Sequence, residues 1–191
     1  MEVIKTDIEG VVIIEPRIFK DERGYFYESF SQREFEEKVC RTVFVQDNQS
    51  KSSYGVLRGL HFQKPPYAQS KLVRCIKGTV LDVAVDIRKG SPTFGKYVAV
   101  ELSEENHRQF FIPRGFAHGF AVLSEQAVVQ YKCDRAYAPE SEGGVAWNDP
   151  ALAIPWPIAP QEVVLSDKDA RYVPLAETEE LFDYNTDYYA E

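Results

Sequence analysis

The chain reads as a mainly β protein, a sandwich or barrel with a few short helices. Three observations predict this. Short β-branched and aromatic runs recur along the 191 residues. Gly- and Pro-containing breaks separate them at spacings of about 8–12 residues. Alternation along several runs sets ionisable residues on apolar strand faces, as where a small barrel opens into a ligand pocket.

The elements follow in order. Residues 11–15 make a strand closed by Pro16, and residues 25–30 alternate aromatic and polar side chains after Arg23-Gly24. Ser31 and Glu34 form a capping-box pattern ahead of a helix at 35–39. Strands are expected at 43–48, 56–63, 72–76, 80–88, 97–102, 109–112, 116–123 and 127–133. Gly78, Gly90-Ser91-Pro92, Pro113-Arg114-Gly115 and Pro139 supply the breaks. A second short helix is expected near 177–183, and residues 184–191 as a loosely held tail.

Length predicts one domain over residues 1–191, with a core large enough to stand without staples. The net charge of -8 argues against a nucleic-acid polymer as partner, although it leaves room for a local basic pocket. Cys40, Cys75 and Cys133 stand far apart and odd in number, so the chain is expected to be reduced and cytoplasmic. No apolar run suits a secretion signal or a membrane span.

Period two decides which side chains share a face. His118 shares one with Phe116, Phe120 and Val122; Asp82 with Val80 and Ala84; Tyr131 with Val129 and Cys133; Lys71 with Val73. Arg58 and His61 fall on opposite faces by simple alternation, unless Gly59 marks a bulge that turns both inward. Pattern alone favours a core histidine beside a surface arginine. Tyr131 could donate a proton or merely pack, and Lys71 could stabilise an oxyanion or merely snorkel. No Gly-rich phosphate loop is present. His61 is followed by Phe62-Gln63, so a barrel metal site built on a His-x-His pair is disfavoured and no metal is expected.

Ten stretches in sequence carry a resemblance. Among them are Arg23-Gly24-Tyr25-Phe26, Gln46-Asp47-Asn48, Leu57-Arg58-Gly59-Leu60-His61-Phe62-Gln63, Ala68-Gln69-Ser70-Lys71, Pro113-Arg114-Gly115-Phe116-Ala117-His118-Gly119-Phe120, Glu142-Gly143-Gly144 and Ser166-Asp167-Lys168-Asp169. Together they resemble the dTDP-4-dehydrorhamnose 3,5-epimerases, cupin-like jelly-roll sugar-nucleotide enzymes. The resemblance implies a cytoplasmic homodimer needing no cofactor, with a dTDP-sugar as its partner. It implies His61 as base, Asp169 as the carboxylate that orients it, Tyr131 as acid on the far face and Lys71 beside the ketone. Arg23, Glu28, Gln46, Asp47, Asn48, Arg58, His118, Tyr137, Glu142 and Lys168 match substrate-binding positions, with Tyr137 stacking on thymine. Asp82 is a second candidate for orienting a pocket histidine. Arg23 and Glu28 are expected to serve the neighbouring subunit's site. The rivals are a one-carbon epimerase or keto-isomerase of a related pathway, and a non-catalytic cupin-like sugar-nucleotide binder. His107 is read as a surface residue.

Overall fold

A computed structural model describes residues 1–190. In chain order the strands are β1 (Glu2–Lys5), β2 (Val12–Glu15), β3 (Phe19–Asp21), β4 (Gly24–Phe26), β5 (Gln46–Ser53), β6 (Leu57–Gln63), β7 (Lys71–Lys77) and β8 (Thr79–Asp86). Then come β9 (Arg88–Lys89), β10 (Tyr97–Ser103), β11 (Gln109–Ile112), β12 (Phe116–Val122), β13 (Gln126–Cys133), β14 (Glu142–Gly144) and β15 (Phe182–Asp183). Among the described residues one α-helix forms, α1 (Gln32–Lys38), between β4 and β5.

Two antiparallel sheets form a sandwich. One has six strands in the order β1-β2-β11-β7-β13-β5, the other five in the order β10-β8-β12-β6-β14. The inner faces meet in a core that includes Val73, Val80, Ala84, Phe110, Phe116, Phe120 and Val129. The outer face of the five-stranded sheet is also apolar, because the C-terminal third covers it with Leu152, Trp156, Leu175 and Phe182. This explains why β12, Phe116–Val122, is buried on both faces and needs the small Ala117, Gly119 and Ala121 on one of them.

The helix starts where the capping pattern placed it: Ser31 Oγ accepts from the Glu34 N–H at 3.4 Å. The reciprocal half of the box is not made. The Glu34 carboxylate instead meets the Met1 amino group at 3.1 Å and Lys38 at 3.5 Å. Phe35 anchors the helix on the outer face of the six-stranded sheet, among Ile14, Leu72 and Phe111.

Four expectations are corrected. The strand expected at 25–30 ends at Phe26 and pairs back on Phe19–Asp21 as a hairpin. His107 is not a bland surface residue: it stacks on Tyr25 and Tyr27, centroids 4.8 and 5.3 Å away, and anchors that hairpin. No helix forms at 177–183. A 3-10 turn, Leu175–Glu177, precedes Phe182–Asp183, which pairs in parallel with β9, because burying Leu175 and Phe182 on the sheet outweighs weak local propensity. The tail through residue 190 is tied down. Arg88 lies over Tyr184 at 5.1 Å and Arg114 over Tyr189 at 4.7 Å, while the Arg114 guanidinium donates to the Tyr188 carbonyl. Glu191 lies outside the described residues.

Candidate active site

The cavity lies between the sheets, where the apolar core gives way to polar residues. Its volume is about 480 Å³, within the range of small-molecule sites. The five-stranded sheet supplies Arg58, His61 and His118; the six-stranded sheet supplies Lys71, Tyr131 and, from edge strand β5, Gln46 and Asn48. Base and acid candidates therefore stand on opposite walls.

Gly59 does make a bulge. Against β12, His61 pairs with His118 and Arg58 with Phe120, so Gly59 and Leu60 on one strand oppose Gly119 alone on the other. The bulge turns Arg58 and His61 inward together, while Leu60 and Phe62 join the outer core. Gly59 sits at φ 130°, and a Cβ there would lie 2.6 Å from the Gly119 Cα. A Cβ on Gly119 would lie 2.6 Å from the Arg58 carbonyl oxygen, so the crossing requires glycine on both strands.

The bulge also frees the Gly59 N–H to donate to Asp169 Oδ2 at 3.4 Å. The other oxygen, Oδ1, meets His61 Nε2 at 2.6 Å. Asp169 is buried on a 3-10 turn, Asp169–Arg171, set by the Ser166 hydroxyl accepting from the Asp169 N–H at 3.1 Å. Burial works to raise the Asp169 carboxyl, but the hydrogen bond and charge of His61 hold it below the usual carboxylate range.

His118 Nε2 meets Asp82 Oδ1 at 2.8 Å across neighbouring strands, and burial pushes the imidazole down despite that carboxylate. Burial raises Tyr131, so its phenol keeps its proton at neutral pH. Burial lowers Lys71, while the carboxylates of Asp82 and Glu142 act to keep it charged; its ammonium lies 5.8 Å from the Tyr131 ring centroid.

At the mouth, Glu142 accepts from the Tyr137 hydroxyl at 2.7 Å and from Lys168 at 2.5 Å. Burial would raise Glu142, but these two donors hold it low. Tyr137 is 56% exposed and offers a flat ring at the cavity mouth.

A model of the dTDP-4-dehydrorhamnose 3,5-epimerase family matches residues 5–177. The chain belongs to this family. It is 61% identical over 170 residues to the dTDP-4-dehydrorhamnose 3,5-epimerase of Shigella flexneri, covering 88% of this chain and 93% of that one. Its fold matches a dTDP-6-deoxy-D-glucose-3,5-epimerase from Legionella pneumophila in complex with dTDP-4-keto-L-rhamnose, at TM-score 0.93 and 53% identity over 97% of this chain and 99% of that one. The mainly β, cupin-like architecture is thus the family's. A 3'-monoepimerase from Streptomyces bikiniensis in complex with dTDP-quinovose shares the fold at TM-score 0.85 and 36% identity, covering 91% and 87%.

Family motifs do not all converge in one chain. Arg23 projects from the hairpin, 90% exposed, and pairs with Asp21 at 2.5 Å. Glu28 lines a second cavity of about 330 Å³ between the hairpin and α1. Asp47 lies between Gln46 and Asn48 on one strand, so period two points it outward, where it meets Lys132 at 3.1 Å. Sequence reasoning missed Gln63, Gln69 and Tyr172. Tyr172 lies edge-on to His61, centroids 5.7 Å apart. Gly144 leaves room for it, since a Cβ there would come within 2.3 Å of the Tyr172 ring. Among the described residues no three His, Cys, Asp or Glu side chains group as a metal site needs, and no helix is long and apolar enough to cross a membrane.

Proposed function

We propose that the chain inverts carbons 3 and 5 of dTDP-4-dehydro-6-deoxy-D-glucose to give dTDP-4-dehydro-L-rhamnose, in dTDP-L-rhamnose biosynthesis. The observation that carries the chemistry is the opposition of His61–Asp169 on one sheet and Tyr131 on the other. The C4 ketone acidifies the hydrogens on its two neighbours. His61 removes one of them, and Asp169 fixes the tautomer and stabilises the imidazolium. The electron pair moves onto the ketone oxygen, where Lys71 supplies positive charge to the enolate. Tyr131 then returns a proton from the opposite wall, which inverts the carbon; once His61 has lost its proton to solvent and the Tyr131 phenolate has regained one, the second carbon follows by the same steps.

Arg58 and Lys168 hold the diphosphate and sugar, His118 contacts the sugar, Gln46, Asn48 and Glu142 make polar contacts, and Tyr137 stacks on the base. These residues lie in one cavity, which supports the assignment. Asp47 reaches the ligand only if β5 shifts; Arg23 and Glu28 act on a partner's cavity in a homodimer. Arg23 projecting from a hairpin with exposed Phe19, Tyr25 and Phe26, and Glu28 lying just beyond that hairpin, away from this chain's own cavity, support that reading. We read residues 1–191 as one domain, independent of metal, and cytoplasmic; the three thiols are all unpaired.

Incubation with the substrate in heavy water, followed by NMR, tests the reaction. Deuterium enters at carbons 3 and 5 with conversion to the L-lyxo-4-hexulose. Exchange at one carbon alone assigns the chain to the monoepimerases, and no exchange makes it a binding module.

A further inference from the structure

The exposed ring of Tyr137 sits on residues 134–138, a stretch between β13 and the turn Pro139–Ser141 that belongs to no strand or helix. Three glutamine side chains from elsewhere in the fold hold its backbone. Gln69 Nε2 donates to the Arg135 carbonyl at 2.6 Å. Gln63 Nε2 donates to the Ala136 carbonyl at 3.3 Å and to the Tyr67 carbonyl at 2.8 Å, and Gln63 Oε1 accepts from the Ala138 N–H at 2.9 Å. Gln46 Oε1 accepts from the Tyr137 N–H at 3.1 Å. The contacts fall on four consecutive residues, with Tyr137 flanked on both sides.

Primary amides suit this task because each offers both a donor and an acceptor without charge. Gln63 uses both ends and is buried, so its bonds are not diluted by water. Gln46 links the brace to the cavity by donating to Asn48 Oδ1 at 2.9 Å. A stacking platform that is already fixed loses little freedom when a base settles on it.

We propose that Gln46, Gln63 and Gln69 are positioning residues that brace the loop under Tyr137 and so set affinity for the nucleotide half of the ligand. This rests on the reading that Tyr137 stacks on the base. The brace acts on binding and not on the reacting carbons. Gln63 and Gln69 touch no group assigned to proton transfer.

The test is a double-mutant cycle on the full-length enzyme, with dTDP alone titrated by calorimetry. Tyr137→Ala weakens dTDP binding about tenfold or more, as loss of a base-stacking aromatic does. Gln63→Met and Gln69→Met each weaken it several-fold. Each glutamine variant combined with Tyr137→Ala binds no worse than Tyr137→Ala alone. At saturating sugar nucleotide the single glutamine variants keep kcat within about twofold, because the loss is in binding common to ground and transition states. Gln69 is only half-buried, so its variant carries the test if Gln63→Met does not fold. Glutamine variants that bind dTDP like the parent, even with a lowered Tm, overturn the brace and leave stacking intact. Additive losses overturn it too, by showing that the glutamines act without Tyr137. If Tyr137→Ala binds like the parent, stacking itself fails and the brace falls with it.

Discussion

Two histidines stand side by side on the five-stranded sheet, each paired with an aspartate, and the two pairs differ in what surrounds them. His61 and His118 are direct register partners on β6 and β12. Their distances to carboxylate are alike, 2.6 and 2.8 Å. The His61 side chain is 26% exposed, at the cavity wall; that of His118 is 6% exposed. Asp169 accepts from the Gly59 N–H as well, whereas Asp82 Oδ2 has no partner among the described residues. The same two side chains thus make an open pair that can meet substrate and exchange protons, and a closed pair whose imidazole burial pushes toward its neutral form. Residue type names the candidates; access to the cavity separates base from contact.

Breaking the open pair has the largest effect. His61→Ala lowers deuterium exchange at both carbons by about 10²–10⁴-fold, the usual worth of a positioned base. Full exchange by a folded His61→Ala enzyme puts the base elsewhere. Asp169→Asn keeps the shape and removes the charge; kcat falls by about 10²-fold while KM changes little, since the carboxylate acts through the imidazole. Tyr131→Phe sharpens the opposition of the two walls: deuterium still enters through His61, while the inverted product forms more slowly, and NMR reads the two separately.

Breaking the closed pair shows in stability instead. His118→Leu leaves the Asp82 carboxylate buried and unpaired, costing about 3–5 kcal/mol in urea unfolding. Replacing both residues by leucine returns much of that loss, which a purely catalytic role for the pair does not predict. The smallest effect is in pH. Asp169 and Glu142 titrate below their ordinary values in the folded chain. The unfolded chain therefore takes up their protons first, and their contribution is full above about pH 4–5 and lost as pH falls through the folded values. Asp169→Asn flattens the Tm-against-pH curve on that acid side only.

The sandwich was legible because most core strands, such as β8 and β12, carry β-branched and aromatic runs. Strand β5 was shifted toward its end, since Gln-Asp-Asn-Gln-Ser-Lys-Ser-Ser has no apolar alternation and owes its extension to pairing with β13. The inward turn of Arg58 with His61 was legible as a bulge at Gly59 but not decidable, because the bulge needs Gly119 across from it. Tyr172 was invisible for a similar reason: its place depends on Gly144. Gln63 and Gln69 carry no charge and no periodicity, so only their partners reveal them.

The glycine crossing has a consequence for what a mutational scan of this chain can report. At Gly59 and Gly119 the added Cβ meets backbone, which has no rotamer in which to escape. In a library selected only for soluble protein, with no demand for turnover, both positions are expected to return glycine, while His61 varies and Tyr131, which packs against the core, accepts other apolar side chains. Two residues without side chains are then held more tightly than the base and acid they place, and Gly55 and Gly78, where a Cβ would also meet backbone at 2.4 and 2.1 Å, are expected to be retained beside them for their turns rather than for the site.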